Sequence, residues 1–221
     1  MPKVSEEYIQ NKKAKIIRAA YDLCIQKTIS TVTMQDIIDA TGFSQGGIYR
    51  FYRDIDEIFK DMLLDNRQKN TIKPELDNIF ANADIKEVKA TMHPVFELLA
   101  DYMTRELMGI VKINFELSVL SMNAPLRVEK IIGDIEGTGN FEYLFMRVSQ
   151  YLKQCIMEGP VKPKVSIEEL LTYLTTTYNG IEMCCIIHHC YKKLPLMEWY
   201  TPKTQLGILE NTLYFLLGLE D

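Results

Sequence analysis

The chain has 221 residues, enough to bury a substantial core as one large domain or two small ones. Its apolar share of 47% and charged share of 25% are ordinary for a soluble globular protein, and no apolar run approaches the roughly 20 residues that span a bilayer. The net charge of −5 argues by itself against a nucleic-acid partner, but the charge is unevenly spread. Residues 1–60 carry 9 Lys/Arg against 8 Asp/Glu, residues 1–18 carry 5 against 2, and residues 61–221 carry 16 against 22. The front of the chain can approach phosphates, and the rest repels them. Cys24, Cys155, Cys184, Cys185 and Cys190 are odd in number and form no spaced framework, which predicts reduced thiols. With a polar N-terminus and no apolar leader, a cytoplasmic protein without a membrane partner is expected.

Taken in chain order, the periodicity is helical throughout, with no alternating strand run, and predicts an all-α fold. A first helix covers about 5–27, with Ile9, Ile16, Ala20 and Leu23 at helical spacing. Thr33 is an N-cap for a short helix to Ala40, Gly42 breaks it, and Ser44 caps a second short helix through about Tyr52. Asp54 caps a longer helix with Ile58, Met62 and Leu63, and its spacing to Glu57 is a capping-box variant. Pro74 marks a boundary, and Asp84 and Glu87 open a helix kinked at Pro94. Further helices cover about 107–122, 125–135, 141–158, 166–192 and 203–219. Loops fall at Gly137 to Gly139, at Gly159-Pro160 with Pro163, and at Pro195 and Pro202.

The informative stretch is Thr33 to Tyr52, two short helices joined by a tight turn at Thr41-Gly42-Phe43. In a helix-turn-helix the second helix enters the major groove. Met34, Ile37, Ile38, Phe43 and Ile48 bury against the first helix, leaving Ser44, Gln45, Gly46, Gly47, Tyr49 and Arg50 on the groove face. Arg50 suits guanine or phosphate and Gln45 suits adenine. Tyr49 and Tyr52 offer hydroxyls to phosphates, and Thr33, with Gln35 beside it, presents a helix N-terminus to another. Adjacent glycines cost a short helix about 1 kcal/mol each against alanine, and close approach to DNA is a reason to keep them. Spacing alone fits a plain helical hairpin equally well, a helical interaction module without DNA contact.

The set of residues resembles the DNA-binding domain of the TetR family. The matching positions are Ile16, Ile17, Ala19, Ala20 and Leu23, then Val32-Thr33-Met34, Asp36-Ile37 and Gly42-Phe43-Ser44. They continue through Gly46-Gly47-Ile48-Tyr49, Tyr52 and Asp56-Glu57-Ile58. The resemblance implies a three-helix head over residues 1–60 and a helical ligand-binding and dimerisation body over 61–221. It also implies a homodimer on the two half-sites of a palindromic double-stranded operator, most often a repressor released by a small-molecule effector. Four positions depart from the family pattern: Thr28 where glycine is common, Cys24 for phenylalanine, Ile38 for alanine, and Ile55 for a phosphate-binding lysine. Arg53 and Lys60 are the candidate substitutes for that lysine.

In the body, a helical wheel of 110–123 places Lys112, Glu116 and Asn123 toward solvent. It places Asn114, Ser118 and Ser121 as a polar stripe on the apolar face, with Phe115 close by. These, with Tyr102, Tyr143 and Tyr178, are the expected effector contacts. Gly180 and Cys184, with the stripe of Leu209, Leu213 and Leu216, are the expected dimer contacts, in a helix pair resembling the family interface. Cys184–His188 and Cys185–His189 are i,i+4 pairs that suit a metal, but one helix lacks a separated second pair, so no metal is expected. No nucleophile elbow, P-loop or dinucleotide fingerprint is present. His93, His188 and His189 have no evident acid–base partner, so neither catalysis nor a cofactor is expected.

Overall fold

The computed structural model describes residues 5–159, 161–191 and 200–219. Pro160 and Pro195, two of the expected loop markers, lie outside the described residues. Among the described residues the fold is all-α, with no strand. Its helices are α1 Glu6–Gln26, α2 Met34–Thr41, α3 Gln45–Tyr49, α4 Ile55–Lys69, α5 Lys73–Ala81 and α6 Val88–Glu106. They continue as α7 Lys112–Asn123, α8 Pro125–Ile132, α9 Asn140–Glu158, α10 Ile167–Tyr191 and α11 Pro202–Leu216. A short 3-10 helix at Ile29–Thr31 follows α1, and a π-helical turn at Leu107–Val111 follows α6.

The chain packs as two compact units. One runs up to Asn70 and takes in Lys112–Gly137; the other comprises Thr71–Val111 and the chain from Thr138 onward. The packing therefore does not divide at residue 60, because α4 runs unbroken through that position.

In the first unit, Ser5 caps α1 by accepting from the Tyr8 N–H at 3.2 Å. Ile16, Ala20 and Cys24 recur every four residues and are fully buried against α2 and α4. Burial, with Glu116 nearby, pushes the Cys24 thiol up to about 12, so it behaves as a small apolar side chain. Thr28 sits at φ −70, ψ 135, which any residue adopts, so the departure from glycine requires no left-handed backbone. Asp54 caps α4 by accepting from the N–H groups of Asp56 and Glu57. Glu57 reaches back one residue further than a capping box requires, to the Arg53 N–H at 2.8 Å.

One expectation is inverted in this unit. Lys112 and Glu116 are buried, whereas Asn114 and Ser118 are exposed and Ser121 is half-buried. The two serine hydroxyls donate to carbonyls of their own helix, at Asn114 and Ser118. Lys112 Nζ lies 2.8 Å from Glu116 Oε1 and donates to the carbonyls of Cys24 and Lys27 at 2.8 and 3.1 Å. Glu116 Oε2 accepts from the Ile29 N–H at 2.8 Å. The end of α1 leaves carbonyls that its own helix cannot satisfy, and a lysine there also meets the negative end of the helix dipole. A wheel that sends charges outward cannot anticipate an acceptor set presented by another helix.

The second unit is built on α6, whose Met92, Val95 and Met103 are buried, with α11 laid along it through Leu206, Leu209 and Leu213. Helices α5, α9 and α10 complete the layer, and Pro74 stands in the first turn of α5. α6 runs through Pro94, and the departure from helical dihedrals comes instead at Gly109, φ −107 and ψ −117, inside the π-helical turn. His93 does find a partner: its Nδ1 lies 2.9 Å from Glu210 Oε1, which also accepts from the Tyr214 hydroxyl at 2.6 Å.

Candidate DNA interface and effector cavity

The reading element is assembled by local caps. Thr33 and Asp36 form a reciprocal capping box at the start of α2. Gly42 ends that helix at φ 65, ψ 17, a left-handed conformation that glycine adopts without a Cβ clash. Ser44 then caps α3 by accepting from the Gly47 N–H at 3.2 Å. Ile48 is fully buried and anchors the five-residue helix to the core.

This arrangement leaves Gln45, Gly46, Tyr49 and Arg50 exposed. Tyr49 retains 46% of its surface, and Arg50 has no ion pair among the described residues. The two glycines differ. A Cβ on Gly47 would come within 3.1 Å of the capping Ser44 Oγ, whereas a Cβ on Gly46 would meet nothing within 4 Å. The fold does not need glycine at 46; only something arriving from outside the chain would.

Tyr52 is a correction. It is 2% exposed, and its hydroxyl donates to Asp61 Oδ2 at 2.9 Å. It lies four residues after Ile48 and shares that inward face, so it is a core residue rather than a phosphate contact. Gln35 stays exposed on α2, but its amide donates to Asp39 at 2.7 Å. The Thr33 hydroxyl donates to Asp36, which leaves the helix N-terminus itself as the group available to an anion.

The acids of the head are matched by cations. Lys27 lies 2.5 Å from Asp36; its hydrogen bond and those from Thr33 hold the Asp36 carboxyl at about 2. Asp61 pairs with Lys13, Asp56 with Arg127, and Asp54 with Lys130. The Asp54 carboxyl carries a burial penalty, which the Lys130 and backbone hydrogen bonds outweigh, so it lies below its usual range. Lys60, one candidate replacement for the lysine lost at Ile55, is engaged with Asp134 at 3.1 Å. Arg53, the other, is 90% exposed and only 4.0 Å-distant from Glu57, so it is the available cation. The sequence reading missed Lys12. Its ammonium sits 4.0 Å from the Phe43 ring centre and 5.5 Å from that of Tyr8, which fixes a positive charge beside the turn.

The second unit holds a cavity of about 60 Å³ between α6, α9, α10 and α11. Its walls include Met92, Phe96, Leu144, Leu206 and Leu209, and of the expected contacts only Tyr178 lines it. Tyr102 is buried in the same unit, away from the walls, and Tyr143 is hydrogen-bonded to Asp77 and Arg147. Asn114, Phe115, Ser118 and Ser121 belong to α7 in the other unit. The wall residues Met92 and Leu144 carry no polar signal, so nothing in the sequence separates them from the rest of the core.

The leucine stripe of α11 also changes role. Leu209 and Leu213 are buried against their own unit and Leu216 is half-buried, while Ile208 and Phe215 are more than half exposed. A groove beside them is lined by Tyr173, Gly180, Cys184, Ile208 and Thr212, and a Cβ on Gly180 would meet nothing within 4 Å. Among the described residues no three His, Cys, Asp or Glu side chains are grouped to hold a metal, and His189 Nδ1 is 3.0 Å from the Cys185 carbonyl. Among them, too, no helix is long and apolar enough to cross a membrane.

The profile of the bacterial regulatory proteins of the tetR family matches residues 16–62. An uncharacterized HTH-type transcriptional regulator of Bacillus subtilis strain 168, YfiR, is 21% identical over 180 residues, spanning 81% of this chain and 82% of the relative. A TetR transcription regulator from Haloarcula marismortui shares the fold at a TM-score of 0.63 and 14% identity, over 95% of this chain and 98% of that one. The MbdR regulator of Azoarcus sp. CIB gives 0.61 at 20% identity, over 95% and 100%. Thermus thermophilus FadR, a repressor solved with lauroyl-CoA, gives 0.50 at 17% identity, over 91% and 92%.

Proposed function

We propose that this chain is a DNA-binding transcriptional regulator of the TetR family, a homodimeric repressor released from a palindromic operator by a small molecule. The observation that carries the DNA reading is Gly46. It is exposed and free of any internal steric requirement, between Gln45 and the pair Tyr49 and Arg50. An approaching base edge or phosphate supplies the requirement that the fold lacks. Lys12 and Arg53 add phosphate contacts at the edges of the surface, and Arg53 takes the part of the lysine absent at Ile55.

Dimerisation uses the exposed face of α10 and α11, with Ile208, Phe215 and the open side of Gly180, while Leu209 and Leu213 hold each protomer together. The effector occupies the cavity of the second unit, and release follows if the effector prefers a dimer geometry that DNA does not. Thermus thermophilus FadR, solved in complex with lauroyl-CoA, supports a body of this fold that binds a ligand.

The test is fluorescence anisotropy of the purified protein on DNA from upstream of its own gene, against a scrambled duplex, across a salt series. Binding tens of times tighter to the upstream DNA is expected. Tyr49→Ala and Arg50→Ala abolish that preference with the dimer intact. Gly46→Ala lowers operator affinity at least tenfold while the fold keeps its stability or gains up to about 1 kcal/mol. Equal affinity of all three variants and the parent removes α3 as the reading helix.

A further inference from the structure

The walls of the cavity constrain what it can hold, and this step rests on the effector reading above. Among the described residues that line it, only Thr175 and Tyr178 carry a hydroxyl, and none carries a charge. Thr175 donates to the Leu171 carbonyl of its own helix at 2.9 Å. Tyr178 therefore turns its ring rather than its hydroxyl to the cavity, whose surface is almost wholly apolar. Its ring is fixed by stacking on Phe141, with centres 4.9 Å apart and planes at 26°. Its hydroxyl is hydrogen-bonded to Glu182, and Tyr102, hydrogen-bonded to Asn140, lies close to both Glu182 and Glu106.

We propose that the effector is a small uncharged molecule whose apolar part, a ring or short chain of about four to six carbons, fills the cavity, since about 10–15 Å³ of such space holds one water. The cavity of about 60 Å³ then takes four to six water-sized groups. Phe145 both lines the cavity and is exposed, so the space opens beside it and a longer tail has a way out. A charged head inside would lose its hydration with no opposite charge on the walls. An anion would in addition meet the two acids behind Tyr178, Glu182 and Glu106, against the single cation Arg105, which is paired with Glu106 at 3.2 Å. A cation gains little, because Glu182 does not reach the walls and already accepts the hydrogen bond of the Tyr178 hydroxyl.

The experiment is isothermal titration calorimetry of the full chain, free of DNA, with 1-hexanol, hexanoate, hexylammonium, hexanoyl-coenzyme A and benzene. Hexanol is expected to bind at least tenfold more tightly than any of the three charged hexyl compounds. Val148→Phe, which projects a ring into the cavity, lowers hexanol affinity at least tenfold. Tighter binding of any charged hexyl compound overturns the proposal, as does hexanol binding that ignores Val148→Phe or the absence of binding by every probe. Because no DNA is present, failure here leaves the operator experiment standing. Hexanol binding by a protein that recognises no operator would break the regulator reading and keep the ligand class.

Discussion

The two units bury their helices by different means. The unit with the reading head fixes its geometry with buried charge, Lys112 and Glu116 bonding each other and the end of α1. The unit with the cavity buries acids as well, Glu106 and Glu210, but around the cavity its helices meet through leucine, methionine and phenylalanine. Hydrogen bonds are directional and fix how one helix end meets another, whereas apolar contact is not and tolerates repacking. A surface proposed to match a groove is well served by the first, and a cavity proposed to admit a ligand by the second.

The sharpest way to break this contrast is Glu116→Leu. It leaves the Lys112 ammonium buried without its counter-charge, and a loss of about 3–5 kcal/mol in urea unfolding is expected. Lys112→Met combined with Glu116→Leu recovers a large part of that loss, since no lone charge remains. A single-variant loss below about 1 kcal/mol would mean that the pair is solvated. In the other unit Leu213→Ala is expected to cost about 2–5 kcal/mol, as a fully buried leucine. Ile208→Lys leaves unfolding almost unchanged and shifts the dimer toward monomer in analytical ultracentrifugation. The reverse result for this pair would restore the leucine stripe to the interface.

Smaller effects follow from titration. Burial pushes the Glu182 carboxyl up to about 7, against the Tyr178 hydrogen bond, which lowers it. An acid whose folded pKa is raised binds its proton more tightly folded than unfolded. Its contribution is therefore complete below the ordinary carboxylate value near 4.5 and is lost as pH rises through about 7. Melting temperature should decline between pH 5 and pH 8, and Glu182→Gln should flatten that decline. An unchanged slope in the variant assigns the decline elsewhere. Least of all, Lys130→Gln should produce a small loss of melting temperature that fades with added salt, because the Lys130–Asp54 contact is exposed.

Particular residues show what could be read in advance. Thr33, Ser44 and Asp54 were legible as caps because a cap acts on N–H groups two or three residues away. Gly42 was legible because a left-handed position is a local demand. Tyr52 was misassigned because its chemistry suits a phosphate equally well, and only its register with Ile48 turns it inward. The cavity walls were not legible because leucine and methionine look alike in sequence whether they fill a core or border a space.

The sequence by itself determined most of the helices, the caps at Thr33, Ser44 and Asp54, the turn of the reading element and the exposed set Gln45, Gly46, Tyr49 and Arg50, all matters of short range along the chain. Only the tertiary structure decided which face of α7 is buried, that Lys112 and Glu116 close the end of α1, which leucines of α11 are core, and where the cavity lies. Those depend on what another helix presents, and acceptors, donors and voids supplied from 85 or more residues away leave no periodicity in the segment that meets them.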